Sequence, residues 1–388
     1  MRTNYKYTIY ACYLGYIVQG IINNVNPIFF IIYKQQLGIS LAQIGILIAA
    51  NFGIQIAVDL LAARYVDRVG YRKSMIAAHL ISTVGLVGIG VFPYIMGSAF
   101  AGLLIATLCN GVGGGLLEVM VSPIVEAAPS KEKDKAMSML HSFYCWGCIA
   151  FIAISTIALS FLGADKWYLI PLCWAAIPLI NSFLFGIVPI NSLVEEGEQI
   201  SIKGLFRMKT FWLFAILMLC AGASEMGMSQ WASYFAETGL KVSKTFGDLF
   251  GACFFCLMMG LARSFYGKWG HRIRLQRFMA ISCVLCVGGY LLAVFAPFAL
   301  MGLLGCGLCG LSVGILWPGT FSQAAKSCTG GGTAMFAFLA LAGDLGCITG
   351  PEIVNLGAKL FPQYGLKAGL LLAIIFPVLM LVMLRKAK

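Results

Sequence analysis

The sequence has few charged residues and few of the side chains that enzymes use for chemistry. Of its 388 residues, 11% are charged, whereas a soluble domain carries roughly a quarter. Histidine occurs only at His79, His141 and His271, and no spacing of His with Asp or Ser indicates a nucleophile or a metal site. The composition therefore argues against a soluble domain and against an enzyme, and we expect no metal and no organic cofactor.

Cysteine is abundant, but it lacks the neighbours that zinc or redox chemistry needs. Four C-x-x-C pairs occur, a spacing that suggests such chemistry in a soluble protein. Each pair lies inside an apolar stretch, without a second pair or a nearby His at ligand spacing; the pairs are Cys145/Cys148, Cys253/Cys256, Cys283/Cys286 and Cys306/Cys309. Because cysteine also packs as a small hydrophobe, we interpret these residues as packing residues.

Long apolar runs dominate the chain, which is 60% hydrophobic with a mean hydropathy of +0.89. A run of about twenty apolar residues crosses a bilayer core of about 30 Å. Such runs lie near 8–33, 41–63, 74–96, 98–126, 137–162, 167–189, 211–236, 246–266, 277–297, 299–325, 332–357 and 365–384. The first run is too long for the apolar part of a signal peptide, and we expect it to be retained. The sequence predicts an all-α polytopic membrane protein with twelve transmembrane helices in a lipid bilayer.

Acidic residues are scarcer than basic ones, and the net charge is +12. All but six of the 27 Lys and Arg residues fall on one predicted side of the membrane; the six are Lys34, Lys166, Lys241, Lys244, Lys359 and Lys367. This asymmetry follows the positive-inside rule and predicts that both termini are cytoplasmic. The basic excess is thus explained by topology, and no nucleic-acid partner is expected.

The chain divides into two related halves. The longest polar connection predicts a first bundle over residues 1–190, a cytoplasmic linker over 191–209 and a second bundle over 210–388. LLAARYVDRVGYRK, which begins at Leu60, aligns with GLARSFYGKWGHRI, which begins at Gly260, and both copies follow the second span of their half. Two related six-span halves are typical of secondary transporters.

The loop after the second span carries a recognisable motif. The pattern A-x-x-x-D-R-x-G-Y-R-K, which begins at Ala63, resembles the signature loop of the major facilitator superfamily. Asp67, Arg68, Gly70 and Arg72 match that signature, whereas Ala63 replaces its first glycine. Gly70 permits a sharp turn between spans 2 and 3. The resemblance implies two pseudo-symmetric six-helix bundles, transport by alternating access, and a loop that latches the bundles together on the cytoplasmic side.

Three further patches narrow the resemblance. Residues 113–147 are similar to spans 4 and 5 of the fucose-permease-like sugar:proton symporters, residues 223–235 to their span 7, and residues 23–27 to their span 1. Glu118 matches the acidic residue of that family's span 4, which is associated with proton coupling. Pro27 stands where the family's first span carries an aspartate, so a second coupling carboxylate must come from elsewhere.

Ionisable groups deep in a bilayer are costly and therefore tend to be functional. Glu118 lies roughly 15 Å from the end of its span, and Glu225 and Asp344 are also central by helix rise. We treat all three as proton-coupling candidates. Glu225 is the candidate for the second carboxylate, with substrate hydrogen bonding as its alternative, and for Asp344 a role in stabilising the second bundle is preferred to coupling. Asp59 is expected to be shallow and to snorkel or pair locally.

The superfamily resemblance implies a central cavity lined by spans 1, 4, 7 and 10. The substrate-binding candidates on these spans are Gln19, Asn23, Asn24, Asn26, Gln230, Trp231 and Trp317. Amides bind hydroxyl groups and an indole face packs on a sugar ring, although Trp231 could equally belong to an interfacial belt. No Lys or Arg lies deep in those four spans, which favours a neutral solute.

These patterns predict a proton-coupled symporter of a small neutral polar solute, with a sugar as the first candidate. The alternative is a proton-driven exporter of lipophilic compounds from the same superfamily, which the 17 Met and 27 Phe residues would suit. We expect a monomer in the cytoplasmic (inner) membrane of a bacterium. Protons are preferred to sodium on the family resemblance alone, and the solute and the direction of transport stay open.

Overall fold

A computed structural model describes residues 5–129, 133–191, 200–328 and 330–385. Twelve of its helical stretches are long and apolar enough to cross a membrane, which confirms the predicted number of spans. No strand occurs in the described ranges, so the prediction of an all-α membrane protein is also confirmed.

The spans are numbered here in chain order, and five of them consist of more than one helical segment. In the first half they are Tyr5–Gln36, Leu41–Val69, Tyr71–Ile95, Ala99–Ala127, Lys133–Leu162, and Leu169–Trp174 with Ala176–Ile187. In the second half they are Lys209–Ser229 with Ala232–Gly239, Lys244–Gly247 with the π-helical Asp248–Cys253 and Phe254–Trp269, Leu275–Phe295, Ala299–Val313 with Leu316–Ser327, Gly332–Leu360, and Leu366–Ala373 with Ile375–Leu384. Short helices at Ala164–Lys166, Ile202–Arg207 and Gly270–Arg272 lie in the connections.

Helix ends follow from local sequence. Ser40 caps span 2 through a capping box, in which its hydroxyl accepts from the Gln43 backbone amide and the Gln43 side chain accepts from the Ser40 amide. Gly70 separates spans 2 and 3 with a φ of 90°, a backbone conformation that residues with a side chain rarely adopt. The sharp turn predicted at Gly70 is therefore confirmed.

The predicted linker over 191–209 is described only in part, because residues 192–199 lie outside the described ranges. After them, Ser201 caps the helix Ile202–Arg207 by accepting from the Gly204 amide at 3.1 Å. Leu205 is buried on one face of this helix, while Ile202 and Phe206 are exposed. This arrangement agrees with the amphipathic pattern of the segment.

Close helix packing within each half depends on small residues. In the second half, Gly346 and Gly350 of span 11 lie against the backbone of Leu219 and Ala223 of span 7, where a side chain would clash. Small residues at such crossings let two helices approach closely, as is common in membranes. The two spans therefore form a tightly packed pair beside the centre of the molecule.

The two halves meet along two pairs of spans. Span 2 packs against span 11, and span 5 packs against span 8, so each half contributes one helix to each contact. Spans 4 and 10 also reach across, to spans 11 and 5 respectively. These crossings enclose a central region between the halves, and the candidate site lies there.

Candidate transport site

A small cavity lies at the centre of the molecule and has walls from both halves. Its volume is about 40 Å³. The first half contributes Tyr16, Gln19, Asn23, Phe52, Glu118, His141 and Tyr144, and the second contributes Glu225, Met226, Arg263, Trp317, Asp344 and Cys347. Spans 1, 4, 7 and 10 all take part, as expected, and spans 2, 5, 8 and 11 take part as well.

The cavity contains six of the ten residues predicted to bind substrate or couple protons. These are Gln19, Asn23, Glu118, Glu225, Trp317 and Asp344. Trp317 is 8% exposed, and its ring is T-shaped to Phe321 at 6.2 Å between centroids. The structure brings these six groups together, whereas their roles in transport stay predictions.

Two of the asparagines predicted to bind substrate are engaged elsewhere. Asn24 Nδ2 donates to the Gly20 carbonyl at 2.8 Å and contacts Cys148 Sγ at 3.1 Å. Asn26 Nδ2 donates to Thr107 Oγ1 at 2.9 Å, and its oxygen accepts from the Tyr33 hydroxyl at 3.1 Å. Neither lines the central cavity, and both join helices of the first half.

Gln230 and Trp231 also lie away from the cavity wall. They occupy the interruption in span 7 between Ser229 and Ala232, and both are buried. Trp231 Nε1 donates to the Pro351 carbonyl of span 11 at 3.2 Å, so its indole holds two spans together. The burial of Trp231 rules out the alternative interpretation as an exposed belt residue.

Amide side chains connect the first half to Glu118. Gln19 Nε2 donates to Glu118 Oε2 and to Gln55 Oε1, both at 3.2 Å. Asn51 Nδ2 donates to Asn23 Oδ1 at 3.4 Å. Among the described residues, no basic side chain forms an ion pair with Glu118, so its bonded partner at the cavity is a neutral amide.

Arg263 of span 8 is the residue that the sequence analysis missed. It is 2% exposed, and its Nη2 pairs with Glu225 Oε2 at 3.1 Å. Its Nη1 donates to the His141 carbonyl at 3.1 Å and contacts Cys145 Sγ at 3.3 Å, so this side chain bridges the two halves. Its Nε donates to the Gly314 carbonyl at 2.9 Å, where span 10 is interrupted.

The cavity therefore contains a cation that the sequence analysis did not expect. The prediction of a cavity without a cation considered only the Lys and Arg residues of spans 1, 4, 7 and 10, whereas Arg263 belongs to span 8. The available signal was an arginine inside the apolar run 246–266, a position where ionisable residues are costly. The premise used to favour a neutral solute was thus incomplete.

Asp59 is the residue for which the expected surroundings were wrong. It is 1% exposed, and both of its carboxylate oxygens lack a hydrogen-bond partner among the described groups. The apolar stretch of span 2 ends at Ala62, near the expected residue 63, although the helix continues to Val69. Burial inside the protein without a described partner is therefore what contradicts the expected snorkelling or local pairing.

The predicted gating loop is described in part. The side chains of Asp67 and Arg68 lie outside the described part of the chain. Arg72 donates from Nη1 to the Phe185 carbonyl and from Nη2 to the Val188 carbonyl, both at 2.7 Å. Arg72 thus binds the end of span 6 in its own half, and its described bonds do not link the two bundles.

Comparison with known proteins places the fold. The family model of the Major Facilitator Superfamily matches residues 12–351. Among curated proteins, the membrane protein MosC of Rhizobium meliloti is 24% identical over 315 residues, which are 81% of this chain and 74% of that protein.

Solved structures share the architecture at low identity. The proton:xylose symporter XylE superposes with a TM-score of 0.82 at 13% identity and covers 98% of this chain and 95% of its own. FucP, the fucose:proton symporter of E. coli, superposes with a TM-score of 0.74 at 16% identity and covers 99% and 98%. At these identities the superpositions establish the fold alone.

Proposed function

Because the chain belongs to the Major Facilitator Superfamily, we propose that it is a proton-coupled symporter of a small polar solute, with a sugar as the first candidate. The observation that carries this proposal is the central cavity, where amides, an indole and a carboxylate meet between the two halves. The sugar:proton activities of XylE and FucP support the choice of solute class and ion.

The cavity wall offers suitable partners for a hydroxylated ring. Gln19 and Asn23 present amides that bind hydroxyls, Tyr144 adds a phenol, and Trp317 offers an apolar face. The volume of about 40 Å³ is far below the roughly 300–1,000 Å³ of typical ligand pockets. Entry of a solute therefore requires the halves to separate, and separation on one side at a time is alternating access.

Glu118 is our candidate for the proton carrier. It lines the cavity, and its bonded partner Gln19 is neutral, so protonation leaves no unpaired cation behind. An ionised carboxylate at the centre of a bilayer costs about 3 kcal/mol or more. A protonated Glu118 avoids that cost while the solute-loaded halves move, and water on the opposite side then takes the proton.

We assign the second coupling carboxylate to Asp344 rather than to Glu225. Glu225 already pairs with Arg263, an arrangement that suits a structural role. Asp344 lines the same cavity, and its Oδ2 has no hydrogen-bond partner in the described ranges. Asp344 therefore offers a site for the second proton, which span 1 cannot hold because it carries Pro27 in place of an aspartate.

We also propose that both termini face the cytoplasm of a bacterium, because most of the basic residues lie on the side of the membrane that carries the termini.

Proton movement in de-energised cells tests this function. A pulse of the transported sugar is expected to raise external pH, and the Glu118→Gln variant is expected to lose that response. Glu237→Gln is the matched control, because Glu237 is a carboxylate of the helix Ala232–Gly239 outside the cavity. If no sugar in a broad neutral panel changes the external pH despite normal expression, the sugar–proton proposal fails.

A specific observation keeps proton-driven export of lipophilic cations as the second candidate. Glu118 and Asp344 have no basic partner among the described residues, and Phe52 and Met226 give the same wall apolar surface. Negative charge beside apolar surface suits a lipophilic cation. Lower retention of a cationic dye in expressing cells, reversed by an uncoupler, would favour this candidate over sugar uptake.

A further inference from the structure

Two buried carboxylates lie on spans of opposite halves and have unused acceptor atoms. Asp59 of span 2 and Asp344 of span 11 are each 1% exposed. Both oxygens of Asp59 and Oδ2 of Asp344 have no hydrogen-bond partner among the described residues. Buried polar atoms are normally paired, so three such oxygens at one contact need an explanation.

The register of the two spans places these carboxylates at neighbouring depths. Spans 2 and 11 pack together and run in opposite directions, and Gly45 faces Glu352 and Asn355 at one end of the contact. Along span 2, Asp59 lies roughly 21 Å from Gly45, and along span 11, Asp344 lies roughly 12 to 17 Å from the facing pair. The two carboxylates therefore differ in depth by roughly 4 to 9 Å along the contact.

The surroundings supply little positive charge to either carboxylate. Span 4 presents Glu118 to both, and the other titratable groups nearby are Cys347 on span 11, Glu225 on span 7, Tyr16 on span 1, and His141 and Tyr144 on span 5. Arg263 is the cation of the described cavity wall, and it is already paired with Glu225. Two ionised aspartates here would be buried, mutually repelling and uncompensated by described groups.

We propose that Asp59 and Asp344 form a second proton site shared between the two halves, and that spans 2 and 11 pack as seen here only while at least one of them is protonated. A proton on either residue removes one of the two like charges from this buried contact. When both are ionised, repulsion drives the two spans apart. The inference rests on the proposed proton-coupled alternating access, to which it adds a pH-dependent contact between spans 2 and 11.

This site differs from Glu118 in what it controls. Glu118 lies in the first half and is bonded to Gln19 of that same half, so its proton does not itself join the halves. Asp59 and Asp344 come from opposite halves, so their protonation state acts directly on the contact between spans 2 and 11. The pair is therefore expected to respond to pH without any solute.

The separation of spans 2 and 11 can be measured directly in the full chain. Spin labels on p-acetylphenylalanine at Ile46 and Leu356, which are 48% and 47% exposed, avoid the fourteen native cysteines. Electron–electron distances are recorded in lipid nanodiscs without solute between about pH 5.5 and about pH 8.5. We expect the population with the short distance to fall at least about threefold as pH rises.

Variants identify the groups responsible. The double variant Asp59→Asn, Asp344→Asn is expected to keep the short distance at every pH, and either single variant is expected to weaken the response. Glu237→Gln, which changes a carboxylate outside the cavity, is the matched control and is expected to keep the pH response of the unmodified chain. Glu118→Gln removes a neighbouring negative charge, so it is expected to shift the midpoint of the response without abolishing it. A size-exclusion profile shows whether the double variant is folded. If it is not, the weakened response of the single variants still tests the inference.

Three outcomes would overturn the inference. They are a distance that does not change with pH in the unmodified chain, a pH response that survives in the double variant, and a response abolished by Glu118→Gln alone. Because no solute is present, the result is independent of the sugar assay. A chain that moves no sugar can still show the response, and a genuine sugar symporter can fail to show it.

Discussion

Replacing Arg263 with methionine is predicted to be among the most destabilising changes in the molecule. Methionine keeps the length and apolar stem of the side chain but removes the charge that neutralises Glu225. Breaking a buried ion pair by removing one partner costs about 3–5 kcal/mol. The carbonyls of His141 and Gly314 also lose their donor, so we expect a total loss of about 4–5 kcal/mol in the free energy of unfolding.

Replacing Glu225, the partner of Arg263, gives the coupling energy between the two charges. Glu225→Gln alone is expected to cost about 2 kcal/mol, because the glutamine oxygen still accepts from Arg263. The double variant removes both charges, so it is expected to cost only about 2–3 kcal/mol, mostly from the two carbonyls. The coupling energy between the two positions is therefore about 3–5 kcal/mol, at or above the upper end of the roughly 0.5–3 kcal/mol measured for residues in contact.

Equilibrium unfolding in mixed micelles of mild detergent and dodecyl sulfate measures these four species. Lys244→Met is the comparison variant. Lys244 pairs with Asp248 at 2.8 Å and is 26% exposed, but Asp248 is buried and would keep, among the described groups, only its bond from Ser233, so we expect a cost of about 1–3 kcal/mol. A coupling energy below about 0.5 kcal/mol would show that the two charges do not depend on each other. That result would refute the view of Arg263 as the charge that permits Glu225 to be buried.

Further predictions separate residues that bind solute from residues that support the fold. Asn26→Ala is expected to lower the free energy of unfolding by about 1–3 kcal/mol, because it leaves Thr107 and Tyr33 without their partner, and to leave the solute KM unchanged. Asn23→Ala is expected to raise the KM about tenfold, measured by initial uptake rates, and also to lower stability, because Asn51 loses its acceptor. Arg72→Lys keeps the charge but is expected to lower thermal stability, measured by melting in detergent, because one ammonium cannot reproduce both carbonyl bonds.

The fold was accessible from the sequence because the bilayer restricts the choices so strongly. Apolar runs of sufficient length must form helices, since no water is present to bind exposed backbone groups. The twelve spans, the turn at Gly70 and the central location of Glu118 followed from that constraint and from the motif. The interruption of span 10 at Gly314 did not follow, because neighbouring side chains such as Arg263 satisfy the freed carbonyl.

The site was only partly accessible, because sequence gives the span of a residue more readily than the direction of its side chain. Gln19 and Asn23 lie four residues apart on one helix face and both reach the cavity, whereas Asn24 is turned about 100° away, towards span 5. Asn26 returns to nearly the same face one turn further on, where Thr107 binds it outside the cavity. The same limit applies to Asp59, whose side chain is buried inside the protein although its position near the end of the apolar stretch suggested access to the surface.

Gly343 of span 11 gives a final test of the cavity wall. The ring edge of Trp317 lies against its Cα, and a methyl group there would overlap the indole carbons. Because an indole cannot bend, Gly343→Ala is expected to push the ring towards the cavity, raise the solute KM about tenfold and cost about 1–3 kcal/mol of stability. Adding Trp317→Phe is expected to restore stability but not affinity, because the smaller ring clears the methyl group yet offers less surface to the solute. Trp317→Phe alone serves as the control in both assays. If Gly343→Ala changes neither quantity, the indole does not form the wall in the way the geometry indicates.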